Sequence, residues 1–296
     1  MLVLVVGKKG QLGSHLFRVL KQSPDLDVIE IPECDITNKF AINNRINQSR
    51  PDVIVNAAAY TCVEQAEMEK EIAFNVNNKG ACLLAQASKD IGAMLIHMST
   101  DYVFDGSNKH AYKENDVPNP QSIYGKSKLA GEAAIVNTCP RHIIIRTAWL
   151  FSVQDNNFVS TMLTLGRDRD ELSIVDDQYG GPTYVGDLAN AILHIMMQFK
   201  QVGRLNWGVY HFSGFPYVTW YQFAQHIFKQ AHKQKTIDKP PRLVPISSQD
   251  YPSNVNRPAN STLNCTKIER ELGIEMVDWS KALPVVIEQF MESQYQ

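Results

Sequence analysis

Tyr124-Gly125-Lys126-Ser127-Lys128 sets a tyrosine and a lysine four residues apart. On a helix such residues share one face, one turn apart. A free phenol has a pKa of about 10 and exchanges protons poorly at neutral pH. A neighbouring ammonium favours the phenolate and brings that value down. Tyr124 paired with Lys128 can therefore serve as a general acid toward a ketone or sugar oxygen. Thr100, which closes the apolar run ahead of it, offers a hydroxyl that can donate to the same carbonyl.

A second constellation is Gly7-Lys8-Lys9-Gly10-Gln11-Leu12-Gly13. Glycines at this spacing let a strand turn tightly into a helix and let backbone N–H groups approach a pyrophosphate, while the helix N-terminus adds partial positive charge. The cofactor this implies is a nicotinamide dinucleotide. Glu30 stands where a carboxylate would bond the adenosine ribose 2′-hydroxyl, with Glu33 and Asp35 as competitors for that role. An acid there favours NADH, whereas Lys8 and Lys9 would suit the 2′-phosphate of NADPH. Both cofactors stay open.

The elements needed to hold these groups can be read from the apolar pattern. Leu2–Val6, 28–31, Val53–Asn56, 94–98 and 142–146 are short apolar strands without polar alternation. Gln11–Lys21, 73–89 and 124–136 are helical patterns between them. Strands of this kind separated by helices predict an α/β Rossmann-type fold, a doubly wound parallel sheet covered on both faces. Thr100 then sits at the carboxyl edge, where open α/β sheets bind ligands. Residues 1–150 form the dinucleotide-binding domain. Residues 151–296, richer in Pro and Gly, form a smaller substrate-binding lobe with helices at 187–200 and Trp220–Lys233, some of whose elements pack back on the first domain.

Composition limits the function classes. A formal net charge of −2 offers no basic excess for nucleic acid. The apolar start is stopped by Gly7 after six residues, too short for a signal peptide or a membrane span. The five scattered cysteines form no C-x-x-C, which argues against a disulfide framework or zinc site and fits a cytoplasmic protein.

Segments spread along nearly the whole chain resemble the extended short-chain dehydrogenase/reductase family. They are the glycine loop, Val55-Asn-Ala-Ala-Ala-Tyr-Thr61, Ser99-Thr-Asp-Tyr-Val-Phe-Asp-Gly106, Tyr124-Gly-Lys-Ser-Lys128, Arg146-Thr-Ala-Trp149, Asp177-Gln-Tyr-Gly-Gly-Pro-Thr183 and Arg257-Pro-Ala-Asn-Ser261. The resemblance implies a catalytic trio of Thr100, Tyr124 and Lys128, the last two also touching the cofactor. It places Gly7, Gly10, Gln11 and Leu12 at the cofactor phosphates, Asp35 and Ile36 beside the adenine, and Ala59, Tyr60 and Thr61 at the cofactor's middle. Thr100, Asp101 and Trp149 would contact a sugar nucleotide. The activity implied is NAD(P)H-dependent reduction of the C4 ketone of a dTDP-linked 4-keto-6-deoxy sugar, in cell-surface polysaccharide biosynthesis, by a monomer or homodimer. Related 4,6-dehydratases carry Asp-Glu after this threonine and use that pair to eliminate water. Here Asp101 is followed by Tyr102, which argues against that chemistry.

Some relatives bind Mg²⁺ at a dimer interface through acidic residues, one of them in the first helix. His15 stands at that position, so neither metal nor dimer is carried over. Trp149 reads as a sugar platform or as core, and Arg257 as a pyrophosphate ligand or a salt-bridge partner. Asn75 could hold a water near Lys128 or serve only helix packing. Other readings of the chain are a different nucleotide-sugar reductase or epimerase, or a non-catalytic regulatory subunit such as that of methionine adenosyltransferase, which shares the Ser/Thr-Asp-Tyr-Val-Phe-Asp-Gly run. Arg146-Thr-Ala-Trp149 and Gly181-Pro-Thr183 favour the enzyme.

Overall fold

A computed structural model describes residues 1–30, 35–153 and 157–293. The first half runs β1 (Leu2–Val6), α1 (Gln11–Lys21), β2 (Asp27–Glu30), α2 (Lys39–Ser49), β3 (Val53–Asn56), α3 (Val63–Ala66), α4 (Lys70–Phe74), a π-helical segment (Asn75–Gly80), α5 (Ala81–Ile91), β4 (Met94–Thr100), a 3₁₀ turn (Asp101–Val103), α6 (Ile123–Thr138) and β5 (His142–Thr147). The second half continues with β6 (Leu150–Phe151), α7 (Phe158–Asp168), β7 (Glu171–Val175), β8 (Tyr179–Gly180), β9 (Thr183–Tyr184), α8 (Val185–Val202), β10 (Gly208–His211), β11 (Val218–Thr219), α9 (Trp220–Lys233), β12 (Arg242–Ile246), α10 (Thr266–Leu272) and α11 (Leu283–Ser293). No helix among the described residues is long and apolar enough to cross a membrane.

Six parallel strands form the central sheet in the order β10-β5-β4-β3-β1-β2. Successive side chains of a strand face opposite sides, and here both sides are apolar. Val3, Val5, Val53, Val55, Ile143 and Ile145 pack with Leu12, Leu16 and Leu20 of α1 and with α8. Leu4, Val6, Ile54, Leu95 and Ile144 pack with Ile42 and Ile46 of α2, and with Leu84 and Ala85 of α5. This two-sided burial is why the strands lack polar alternation. Strand order reverses at β1, whose neighbours are β2 and β3, so the crevice at their carboxyl ends is the topological switch point. The glycine loop and the 57–61 loop meet there. The lobe has its own core, built from α7, β7, α9 and α11 around Phe223 and Trp279.

Two differences from the expected elements have physical reasons. The helix expected over 73–89 is broken into α4, the π segment and α5. The wide turn lies against α6 at Gly131, where an added Cβ would meet the Asn77 carbonyl oxygen at 2.1 Å. Helix α2 has no counterpart in the pattern reading, because only Ile42 and Ile46 are buried along it. Its local signals are an Asn38 cap on Ala41 N and a stop at Arg50, which adopts φ 45°. The second strand is described up to Glu30, and Ile31 and Glu33 of the expectation lie outside the described residues.

Candidate active site

Gly7 and Gly13 are demanded by the chain itself. Gly7 has φ +84°, and a Cβ there would lie 2.5 Å from Ala58 N. A Cβ on Gly13 would lie 2.0 Å from the Gly7 carbonyl oxygen. Gly10 differs: its nearest neighbour would be Gly7 O at 3.5 Å, an ordinary contact. What Gly10 keeps clear is the outer side of the loop at the start of α1, where first-turn N–H groups lack helical partners. The Gln11 side-chain nitrogen beside it is buried without a hydrogen-bond partner. These donors fit a pyrophosphate. The Leu12 side chain is 6% exposed and belongs to the core, so only its backbone is on offer. Gly13→Ala should therefore raise the Kd for NADPH about tenfold or more, since overpacking against backbone costs about 1–3 kcal/mol. Fluorescence titration checks this, and unchanged affinity would refute the packing argument.

At the adenosine end, Glu30 pairs with Lys8 at 2.7 Å, and Lys8 also lies 4.1 Å over the Phe17 ring. The acid and the cation that would choose between the two cofactors thus hold one another. Asp35 accepts from the Thr37 backbone and hydroxyl, each at 2.8 Å, in the turn before α2. Ile36 is buried against Gly80 of the π segment. In the 57–61 loop the structure brings in a residue that the motifs did not single out. Asn77 accepts from Tyr60 N at 2.9 Å and donates to Tyr60 O and to Ser127 Oγ, at 3.0 and 2.9 Å. It ties the 57–61 loop to the helix carrying Tyr124. The Tyr60 hydroxyl donates to Glu69 at 2.6 Å.

Thr100 closes β4 and caps the 3₁₀ turn, accepting from Tyr102 N at 3.1 Å and donating to Asp101 Oδ1 at 3.0 Å. Tyr124, on the first turn of α6, lies edge-on to Tyr102 with ring centroids 5.8 Å apart. Burial pushes its phenol above the ordinary value, and a hydrogen bond with Thr100 opposes that rise. Asp101 is pushed up to about 6 by burial, against hydrogen bonds from Ser261 and Thr100.

Lys128 shares the helix of Tyr124. It lies one turn beyond Tyr124 and is 2% exposed, but its nitrogen is 2.6 Å from the Met98 carbonyl rather than at the phenol. Burial lowers it to about 8, with Glu132 raising it. In this structure the sheet carbonyl, rather than the phenol, holds the nitrogen.

Trp149 has φ 46°, unusual for a bulky residue and sustained only by its surroundings. Its indole occupies the space a Gly180 Cβ would need and stacks on Trp220 at 3.4 Å. Trp220 in turn lines a cavity of about 880 Å³ in the lobe, between α7, β7 and the 248–257 segment. Arg257 also lines it. Its guanidinium donates to Glu64 at 2.6 Å and reaches the Tyr102 hydroxyl at 3.4 Å. The salt-bridge alternative is thus realised, between the lobe and α3. His15 lies on α1 edge-on to Tyr184, 2.9 Å from Arg18.

The doubly wound sheet, its glycine loop and a Thr-Tyr-Lys set at the carboxyl edge define a short-chain reductase architecture. The chain belongs to the family described as RmlD substrate binding domain, which matches residues 1–292. It is 44% identical over 283 residues to a dTDP-4-dehydrorhamnose reductase of Aggregatibacter actinomycetemcomitans, covering 95% of this chain and 96% of the relative. A crystal structure of a dTDP-4-dehydrorhamnose reductase from Clostridium acetobutylicum superposes with a TM-score of 0.90 at 35% identity, covering 98% of this chain and 100% of that one. The Bacillus anthracis enzyme of the same name, solved in complex with NADP, gives a TM-score of 0.86 at 34% identity, with 99% of each chain covered.

Proposed function

We propose that this chain reduces the C4 ketone of dTDP-4-dehydro-L-rhamnose to dTDP-L-rhamnose. The observation that carries the reading is that Thr100 at the end of β4 and Tyr124 on the first turn of α6 stand at the carboxyl edge of the sheet that also carries the glycine loop. NADPH or NADH, when bound, supplies the hydride. Thr100 orients the carbonyl through its hydroxyl. Tyr124, which burial keeps protonated, donates its proton to the emerging alkoxide oxygen. Lys128 would hold the nicotinamide ribose, and in its ammonium form it would support the phenolate left behind. Gly7, Gly10, Gln11 and the Leu12 backbone would hold the pyrophosphate. Asp101 and Trp149 position the sugar. The Trp220 and Arg257 side of the cavity receives the nucleotide. On this reading residues 1–150 serve the cofactor, and most of the remainder serves the substrate.

The test is oxidation of NADPH followed at its nicotinamide absorbance with dTDP-4-dehydrorhamnose, alongside the UDP- and GDP-linked analogues. Consumption with the dTDP sugar and a product heavier by two hydrogens are expected. An isomerised product without net NADPH consumption would indicate an epimerase. No reaction with any keto sugar would overturn the enzymatic reading.

A further inference from the structure

His97 lies on β4 three residues before Thr100 and is buried. Both of its ring nitrogens face partners. Nδ1 is 3.0 Å from Nδ2 of Asn56, its register neighbour on β3. Nε2 is 3.4 Å from the Lys128 nitrogen. The Asn56 amide is oriented by a third group, since Ala58 N donates to its Oδ1 at 3.1 Å. The amide NH₂ therefore faces the imidazole, and Nδ1 must accept. Burial holds His97 neutral, well below its ordinary pKa, and a neutral imidazole has a single N–H. That proton sits on Nε2 and points at Lys128. An ammonium has donors only, whereas an amine has two N–H groups and a lone pair. One carbonyl to receive a proton (Met98) and one N–H to offer one (His97) match the amine.

We propose that Asn56 and His97 form a buried positioning pair that fixes the imidazole tautomer, presents its Nε2–H to Lys128, and so favours the neutral amine over the ammonium. The proposal rests on Lys128 belonging to the reductase site. The other charged group facing this lysine is Glu132 on its own helix, with Arg146 of β5 paired to Glu132. Glu132 works in the opposite direction, raising the lysine, while burial brings it to about 8. If reduction needs the ammonium, kcat/KM falls as pH rises through that region.

Two measurements on the full chain test the pair. Imidazole ¹⁵N NMR, with and without NADPH, should show His97 as the Nε2–H tautomer. A proton on Nδ1 overturns the proposal. The second measurement is the alkaline limb of kcat/KM. Asn56→Asp should reverse the tautomer, because a carboxylate takes Nδ1–H and leaves a lone pair toward Lys128. His97→Leu removes the N–H without adding charge. Both should move the limb upward by about one pH unit, the scale of one hydrogen bond at a buried site. His97→Gln restores an N–H and should keep the limb near that of the parent. A limb that stays in place in both Asn56→Asp and His97→Leu overturns the proposal. The NMR result is independent of turnover, so absence of keto-sugar reduction would sink the reductase reading while the tautomer still tests the pair.

Discussion

Tyr124→Phe lowers kcat by about 10²–10⁴-fold, the usual weight of a positioned proton donor, and leaves NADPH affinity unchanged. The ring itself is a packing element, edge-on to Tyr102 at 5.8 Å, and phenylalanine preserves it. What is lost is one hydroxyl, carried on the first turn of α6. Reduction of a ketone needs that oxygen protonated at the start of the cycle. Burial secures this by raising the phenol above its ordinary value. The sign matters for the pH profile: Tyr124 alone imposes no loss of rate at neutral pH, and its ionisation would remove activity only in strongly alkaline solution. Stopped-flow measurement of hydride transfer with saturating dTDP-4-dehydrorhamnose separates chemistry from product release. A variant turning over near the parent rate would move the proton donor elsewhere, and Asp101, the buried acid bonded to Thr100, would be the next candidate.

Sites whose parts lie close together on one element were readable from the residues. Gly7 to Gly13 span one turn between a strand and a helix, and Tyr124 and Lys128 share one helix, so spacing alone places them. The parallel sheet was readable for a related reason: strands buried on both faces leave no polar alternation. The residues that tune the site are another matter. Asn77 reaches Tyr60 and Ser127 across 17 and 50 positions, and His97 meets Asn56 across 41. Such pairs depend on register between neighbouring strands and on where a π turn puts one asparagine rather than another. Local pattern contains neither. Lys128 shows the limit most clearly. Its position on the helix is given by spacing, but its direction is decided by the Met98 carbonyl on another element. Arg257 was left between two roles because its partner Glu64 lies 193 positions away.

Glu132→Ala should cost about 3–5 kcal/mol of stability, the penalty for leaving one member of a buried pair uncompensated. The Glu132 carboxylate accepts from Arg146 Nη2 at 2.7 Å and from Nε at 2.9 Å, and also from Ser99 Oγ, with both charged side chains 4% exposed. Arg146 lies 5.2 Å from the Phe104 ring and has one further nitrogen already unpartnered, so removing the carboxylate strands a full charge between β5 and α6. The pair itself need not be strongly stabilising. Desolvation of two ions roughly offsets their attraction, and well-packed apolar replacements are often neutral or better. The double variant Glu132→Leu with Arg146→Met should therefore recover most of what the single change loses. Urea unfolding of the single and double variants measures the difference. Equal loss in both would mean that the shape of the site, rather than the stranded charge, is what Glu132 supplies. The double variant also removes the carboxylate that raises Lys128. A stable double variant whose alkaline limb of kcat/KM moves downward would show that this buried pair sets the lysine's protonation separately from holding the fold.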